Sequence, residues 1–181
     1  MLEMQAIERP GGDYGPAELD PDVFEVVRTA TDAGVIIVAA AGNGAEDLDG
    51  SWYQDNWLDW GDSGAILVGA GDTSKRHVTL YFSSYGSRVN VQGWGEDMFT
   101  LGYGDAYEIG RDIDQAYTWF GGTSSATPVV ASAVVLIQDF LVSRGASPLG
   151  PLAMRELLVS TGVAKFSGDP IGPMPDVAAA L

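Results

Sequence analysis

The chain has 181 residues, 46% of them hydrophobic, so it can bury one sizeable core, and we expect one domain or most of one. Its formal net charge is −16, from 25 acidic and 9 basic residues, and such a surface repels phosphate backbones and anionic membranes, which argues against nucleic acid as a partner. Because the sequence contains no cysteine, disulfides, thiolate metal sites and a cysteine nucleophile are excluded.

The first predicted elements are a short strand, a helix and a buried strand. MLEMQ at the N-terminus is interpreted as a strand, and Asp20 is placed to cap a helix that begins at Pro21 and ends at Gly34. The predicted inner face of this helix consists of Val23, Val26, Val27 and Ala30. Residues 35–40 form a continuous apolar run, typical of a strand covered on both faces. A helix followed by such a strand predicts an α/β unit with parallel pairing.

Further strands and a long helix are predicted in the middle of the chain. AILVGAG (65–71) is a second buried strand, and HVTLYFSSYG and SRVNVQG supply further strand-like segments. From Ser124 apolar residues recur at helical spacing as far as the stop at Gly145, and they run nearly all the way round, which indicates a central, buried helix. The apolar run is too short to span a bilayer, so we expect no transmembrane segment.

Two more helices are predicted near the C-terminus. SPLGPLAMRELLVSTG has helical periodicity with Leu152, Leu157 and Leu158 facing inward, and MPDVAAAL predicts a short helix capped by Asp176. No repeat, low-complexity tract or linker divides the chain, which favours one α/β domain over residues 1–181.

The segment FGGTSSATPVV joins a Gly-Thr-Ser turn to the long predicted helix. Gly121 and Gly122 permit close backbone approach, and the first N–H groups of the helix have no intrahelical partner, so they favour a developing oxyanion. A serine at this point has two interpretations. Ser124 or Ser125 caps the helix, or the Ser124 hydroxyl attacks a carbonyl whose negative charge develops beside the amides.

The same segment resembles the nucleophile segment of the subtilisin-like serine proteases. The resemblance implies that Ser124 is the nucleophile and that residues around it form the family's frame, namely Gly122, Thr123, Ala126 and Pro128. Pro128 is expected in the first helical turn, where no N–H is required. Val129 departs from the family, which usually has a histidine after this proline.

A second segment, VIIVAAAGN, is similar to the buried strand that ends in Ala-Ala-Gly-Asn in the same family. The resemblance implies that Asn43 is the side-chain donor of an oxyanion hole, since a carboxamide donates to an alkoxide without carrying charge. Taken alone, GNG is also an ordinary turn. The related sedolisin group has an aspartate in place of this asparagine, so Asn43 favours the subtilisin branch.

The resemblance extends through VGAGDTSKRHVTLYFSSYGSRVNVQGWG and PDVAAAL and covers nearly the whole chain. It implies a three-layer α/β/α fold with a mainly parallel sheet, in which residues 1–181 are the C-terminal part of a catalytic domain. The expected function is that of a serine endopeptidase acting on polypeptide substrates.

The general base of this family is missing from the sequence. Neither the Asp-Ser/Thr-Gly nor the His-Gly-Thr segment occurs, and the one histidine, His77, lies between Asn43 and Ser124 in the wrong order along the chain. Two hypotheses follow. Either an N-terminal segment outside this chain supplies the Asp and the His, or the chain is a non-catalytic relative that binds peptides or partners.

Two segments are implied by the resemblance to form the walls of a substrate groove. One is residues 3–7, which include Gln5 and Ala6, and the other consists of Ala40, Ala41 and Gly42. An extended peptide would lie between them through backbone hydrogen bonds. Gln5, Ala6 and Ile7 depart from the family's usual Ser-Leu-Gly, which puts the primary specificity pocket in doubt.

No cofactor is expected to be required, although calcium is a common stabilising ion in the family. The acidic segment that contains Asp47 and Asp49 could hold Ca²⁺ but lacks the EF-hand spacing, and the alternative is a solvated loop whose Trp52, Trp57 and Trp60 pack on the domain. A weaker family cation site near Arg88 and Asn90 is expected to be lost, since acids are usual there. The N-terminus shows no secretion signal, so an extracellular location rests on the resemblance alone.

Overall fold

The computed structural model describes residues 1–110 and 116–181, which contain both strands and helices. The strands are β1 (Gln5–Ala6), β2 (Gly15–Pro16), β3 (Val38–Ala40), β4 (Ile66–Gly71), β5 (Val91–Trp94), β6 (Met98–Leu101), β7 (Tyr107–Glu108) and β8 (Ala116–Phe120). The α-helices are α1 (Pro21–Asp32), α2 (Ser51–Asn56), α3 (Thr123–Ser143), α4 (Pro151–Thr161) and α5 (Val177–Ala180). Short 3-10 helices lie at Ala17–Leu19 and Leu58–Trp60.

A parallel sheet of order β3-β4-β5 lies at the centre. Val38 pairs with Ile66, and Val68 pairs with Val91. The predicted N-terminal strand is present only in part, because Leu2 makes an isolated parallel bridge to β3 while β1 pairs antiparallel with β2. The predicted strand over residues 35–40 begins three residues late, at Val38, since Val35 is 51% exposed.

The two faces of the sheet are covered by different helices. Alternate residues of a strand point to opposite faces. On one face Leu67 packs with Phe24 of α1 and Trp57 after α2, and on the other Val68 packs with Val130 of α3. The sheet is therefore the middle layer of three, which confirms the predicted α/β class with parallel pairing.

Helix α1 has the predicted ends but a different inner face. The side chain of Asp20 accepts the N–H of Asp22 at 2.8 Å, and beyond Gly34 the N–H of Val35 donates to Ala30 O at 3.0 Å, which closes the helix. The buried residues are Phe24, Val27 and Thr31, whereas Val26, predicted to face inward, is 69% exposed. The large side chain of Phe24 lies on the buried side of α1, so the inner face runs through Phe24, Val27 and Thr31, and Val26 lies outside it.

The long helix α3 is confirmed from Thr123 to Ser143, but it is buried on one side only. Its inner face includes Val130 and Ile137, while Leu136 is 58% exposed, so the prediction of a wholly buried helix is wrong. By length and composition α3 could cross a membrane, contrary to the expectation from the sequence. A core helix has the same features, and the buried side of α3 packs against the parallel sheet.

Four other regions differ from or refine the predictions. Residues 77–86, predicted to be strand-like, are mostly irregular, with isolated bridges at Thr79 and Tyr85, and β6, β8 and β7 form an unpredicted antiparallel sheet. In α4 Leu158 is buried as predicted, but Leu152 is 58% exposed. The acidic segment forms α2 and a 3-10 helix, and the three tryptophans pack on the core as expected. Asp176 caps α5.

Candidate active site

The first turn of α3 carries the Gly-Thr-Ser motif without a side-chain cap. Gly122 is the N-cap residue, at φ +94°, and no side chain caps the helix there. The Ser124 hydroxyl donates to Glu3 O at 3.2 Å, and the Ser125 hydroxyl donates to Trp94 O at 2.9 Å. The interpretation of either serine as a helix cap is therefore wrong. Ser124 is partly exposed, whereas Ser125 is buried.

Asn43 lies just beyond the end of β3 and contacts the start of α3. Its Oδ1 atom accepts both the N–H of Thr123, at 2.8 Å, and the Thr123 hydroxyl, at 2.9 Å. Only the carbonyl oxygen of a carboxamide accepts two donors, so the network fixes the orientation of the group. The Nδ2 donor lies near Gly122, where an added Cβ would come within 3.1 Å of it. The structure thus brings Asn43 to the residue that precedes Ser124.

The backbone N–H groups in the first turn of α3 differ in whether they have a hydrogen-bond acceptor. The N–H groups of Ser125 and Ala126 point to Gly122 O, at 3.0 and 3.3 Å, and that of Thr123 is taken by Asn43. Within the described residues the N–H of Ser124 is the donor of this turn that has no acceptor. The Ser124 N–H is therefore a free donor at the start of α3, and the Asn43 Nδ2 group lies near Gly122, two residues before Ser124. Their role as an oxyanion hole stays a prediction.

Pro128 occupies a different place from the one predicted. It is the sixth residue of α3, beyond the first turn, which begins at Thr123. A residue at this position would normally donate its N–H to the carbonyl four residues earlier, which is that of Ser124. The proline therefore leaves the carbonyl of Ser124 without its usual helical partner.

The backbone on both sides of Asn43 is held by buried hydrogen bonds. Gly42 O accepts the N–H of Ser84 at 2.9 Å, and the N–H of Gly44 donates to Tyr14 O at 2.8 Å. Gly42 has φ +98°, and a Cβ added there would lie 2.4 Å from Tyr14 O, so this position requires glycine. Sequence analysis did not find Ser84 and Tyr14, because neither lies near Asn43 along the chain.

Gln5, in one predicted groove wall, contacts the residue that follows the other wall. Its Oε1 atom accepts the N–H of Asn43 at 2.7 Å. Gln5 and Ala6 are half-buried and belong to β1. The structure thus places these two residues beside the Asn43 loop, and their contact with a peptide stays a prediction.

The other predicted wall is less accessible. Ala40 and Ala41 are fully buried, and their N–H groups donate to Leu2 O and Val68 O, each at 2.9 Å. Gly42 is buried beneath the segment around Tyr14. These amide donors are therefore already used within the fold, and the role of this wall in peptide binding stays a prediction.

A buried carboxylate, Glu46, lies three residues after Asn43. It accepts hydrogen bonds from Arg9 Nη2 at 2.8 Å, from the N–H of Asp13 at 2.7 Å and from the Tyr53 hydroxyl at 2.9 Å. Burial alone would raise the pKa of Glu46, but these donors outweigh it and hold the pKa below its ordinary value. Burial, together with the Glu46 carboxylate, raises the pKa of Tyr53 to about 12. Sequence analysis missed this cluster, whose members are distant along the chain.

His77 lies in a turn, with φ +51°, and its N–H donates to Ser74 O at 3.2 Å. Its Nδ1 atom is buried and has no partner among the described residues. The hydroxyl of Ser124 donates to Glu3 O, and no hydrogen bond joins it to His77 in this part of the chain. That His77 is not the general base stays a prediction.

The acidic residues proposed for calcium make hydrogen bonds within the chain, and calcium binding by them stays a prediction. The carboxylate of Asp49 accepts the N–H and the hydroxyl of Ser87, at 2.9 and 2.6 Å, and Asp47 accepts the N–H of Asp49 at 3.1 Å. Outside the segment 111–115, no group of three or more His, Asp or Glu side chains is placed to hold a metal ion.

A guanidinium group lies where the weaker cation site was expected. Arg88 Nη1 donates to Asn90 Oδ1 at 3.0 Å and to Ala65 O at 3.2 Å. Arg88 Nη2 donates to the Ser63 hydroxyl at 2.9 Å and forms an ion pair with the buried Glu18 at 3.1 Å. Arg88 thus lies against Asn90, and the expected loss of this cation site stays a prediction.

Comparison with known proteins gives this geometry a context. The model described as the Subtilase family (Peptidase_S8) matches residues 11–171. An extracellular basic protease of Dichelobacter nodosus is 28% identical over 144 residues, which are 79% of this chain and 22% of that protein. Subtilisin-like protease SBT6.1 of Arabidopsis thaliana is 33% identical over an alignment of 166 residues that covers 85% of this chain and 14% of that protein.

Among solved structures, the self-cleaved protease domain of PatA matches with a TM-score of 0.67 at 23% identity, over 98% of this chain and 58% of that one. This likeness shows a shared fold. The chain spans less than a quarter of the length of either curated relative, at 22% and 14%.

Proposed function

Since the chain belongs to the subtilase family, we propose that it supplies the nucleophile and the oxyanion hole of a serine endopeptidase. The observation that carries the proposal is the arrangement at the start of α3. The hydroxyl of Ser124 does not cap the helix, and Thr123 fixes the carboxamide of Asn43 beside it. The subtilisin-like α/β fold, which the family match and the structural likeness show, agrees with this role.

In the proposed reaction, Ser124 Oγ attacks the carbonyl carbon of a peptide bond and passes its proton to a general base. The carbonyl oxygen becomes an oxyanion that accepts hydrogen bonds from Asn43 Nδ2 and the Ser124 N–H. The tetrahedral intermediate then expels the amine, which takes the proton from the base. Water hydrolyses the resulting acyl-enzyme and restores the Ser124 hydroxyl.

We propose that the His and the Asp of the triad lie on a polypeptide segment outside these 181 residues, which then form the C-terminal part of the catalytic domain. His77 is the one histidine of the chain, and it makes no hydrogen bond with Ser124 in the described residues. Loss of the base lowers turnover on the order of 10⁶-fold in subtilisin, a member of this family. The 181 residues alone are therefore expected to have almost no peptidase activity.

The substrate in this proposal is an extended polypeptide that passes beside Gln5 and Ala6 towards Ser124. The relative from Dichelobacter nodosus is an extracellular protease, which supports an extracellular location for this protein too. No cofactor takes part in the proposed chemistry. Assay of the culture medium and of the cell fraction with an antibody tests the location.

The second candidate function is that of a non-catalytic module with the same fold. The hydrogen bond from the Ser124 hydroxyl to Glu3 O favours it, because this bond engages the hydroxyl in the absence of any base. A complete reading frame that encodes no Asp-Ser/Thr-Gly and no His-Gly-Thr segment would support this candidate and exclude the peptidase.

The experiment uses a fluorophosphonate probe on the protein expressed from its complete gene. The probe is expected to label wild type and to fail on Ser124→Ala. Ser125→Ala is the matched control, since it removes a neighbouring, buried hydroxyl that bonds Trp94 O, and it should still be labelled. Folded wild-type protein that takes up no label would contradict the proposal.

A further inference from the structure

We infer that Ser84 and the Arg9–Glu46 ion pair are positioning residues for the Asn43 carboxamide, an inference that rests on the proposed function. An oxyanion hole works only when its donors are held in place before the reaction, within about 0.5 Å of the productive geometry. Asn43 lies on a loop, not on a strand or helix, so other residues must hold its backbone.

Ser84 contacts the loop on both sides of Asn43. Its N–H donates to Gly42 O at 2.9 Å, and its hydroxyl donates to Tyr14 O at 2.9 Å. The same Tyr14 oxygen accepts the N–H of Gly44 at 2.8 Å. Ser84 is fully buried, so water does not compete for these bonds.

The Arg9–Glu46 pair fixes the segment that supplies the Tyr14 oxygen. Glu46 accepts the N–H of Asp13 at 2.7 Å and binds one edge of the Arg9 guanidinium group, accepting from Nη2 at 2.8 Å and from Nε at 3.1 Å. The N–H of Glu46 also donates to the Ser84 hydroxyl, at 3.3 Å. The two parts therefore form one network, with Glu46 joined to both the Asp13–Tyr14 segment and Ser84.

The glycines of the loop transmit any shift of this segment to Asn43. An added Cβ at Gly44 would lie 2.4 Å from the N atom of Tyr14, and one at Gly42 would lie 2.4 Å from its O atom. The two backbones are thus packed without intervening side chains. A displacement of the Asp13–Tyr14 segment must move Gly42 or Gly44, and with them the carboxamide between them.

The test compares Ser84→Ala with Ser63→Ala in the protein expressed from its complete gene. Ser63 is also fully buried and donates its hydroxyl to Glu18, at 2.6 Å, in a network that contains none of the residues bonded to the Asn43 loop. Both variants are expected to lower the thermal midpoint. Ser84→Ala alone should raise the hydrogen-exchange rate of the Gly44 N–H, by about tenfold for the loss of one hydrogen bond.

The second readout is the rate of fluorophosphonate labelling as a function of probe concentration. Ser84→Ala is expected to lower the maximal rate constant about tenfold and to leave the half-saturating concentration unchanged, because the oxyanion donors act in the transition state. Ser63→Ala should leave both values unchanged. Equal effects of the two variants on labelling and on Gly44 exchange would overturn the inference.

Glu46→Gln is a second variant that keeps the inference testable if Ser84→Ala does not fold. It keeps the side-chain shape while weakening the bonds to Arg9 and Asp13. It should show the same pattern to a smaller extent, and an unchanged Gly44 exchange rate would count against the inference. Wild-type protein without labelling would overturn the proposed function instead, and Gly44 exchange would still decide whether Ser84 and Glu46 hold the loop.

Discussion

Oδ1 of Asn43 accepts two hydrogen bonds from Thr123, from its N–H at 2.8 Å and from its hydroxyl at 2.9 Å. The pair joins the end of a sheet strand to the first residue of α3 across 80 positions of sequence. Since both bonds are made to the oxygen, the amide nitrogen of Asn43 is left as a donor on the side of Gly122.

Thr123→Val tests this orientation. The substitution removes the hydroxyl donor at a fully buried position and keeps nearly the same shape, while the N–H bond to Asn43 remains. The loss of one such bond, about 1–1.5 kcal/mol, corresponds to a labelling rate about five- to tenfold lower. Thr123→Ser keeps the hydroxyl and is the control. If both variants react alike, the hydroxyl does not orient Asn43.

Asn43→Ala should have a larger effect, because it removes the donor itself. A fall on the order of 10²–10³-fold in labelling rate is expected, a magnitude that comes from subtilisin and is carried over to this relative. Asn43→Asp should be impaired at least as much, since a carboxylate cannot donate and repels the oxyanion. Asn43→Asp with wild-type reactivity would exclude the proposed oxyanion hole.

Local sequence was sufficient to predict much of this fold and the two principal site residues. The cap at Asp20, the glycine at position 34 and the apolar run of β4 depend on neighbours a few residues away. Ser124 and Asn43 were predicted from short motifs, which are also typical of a helix cap and of a turn. The structure places both near the start of α3, although their catalytic roles remain predictions.

The remaining features depend on contacts between distant segments. Residues 77–86 have strand-like composition, but Ser83 and Ser84 use their hydrogen bonds to hold β4 and the loop near Gly42. Glu46 and Arg9 are 37 residues apart, and no local pattern pairs them. Tertiary packing therefore overrides local propensity at these places.

Gly42→Ala should destabilise the fold more than Gly34→Ala. Both glycines have positive φ, at +98° and +90°, so each substitution has a conformational cost of about 1–2 kcal/mol. An added Cβ at Gly42 also meets Tyr14 O at 2.4 Å, whereas nothing lies within 4 Å of one at Gly34. Urea unfolding measures the two losses, and equal values would show that the Tyr14 segment moves freely.

Asp62 is expected to contribute to stability against acid. Its bonds with Arg155, opposed by burial, lower the pKa of Asp62 to about 2, below the value of about 4 in an unfolded chain. The folded state therefore binds fewer protons, so the contribution is complete above about pH 4 and is lost as the pH falls towards 2. As the pH is lowered from 7 to 2, the thermal midpoint of unfolding should decline less steeply in Asp62→Asn than in wild type. Parallel curves of midpoint against pH for the two proteins would contradict this expectation.

Two adjacent residues of α3 allow the stability cost of truncating a buried side chain to be compared with that of truncating an exposed one. Ile137 is fully buried against the sheet and α4, and Ile137→Ala should cost about 2–5 kcal/mol in the free energy of unfolding of the 181-residue chain. Leu136 is 58% exposed, so Leu136→Ala should change it by less than about 0.5 kcal/mol. Urea unfolding of the 181-residue chain tests both, and equal losses would mean that the outer side of α3 is covered. A larger loss for Leu136→Ala in the protein expressed from its complete gene would show that a further segment packs there.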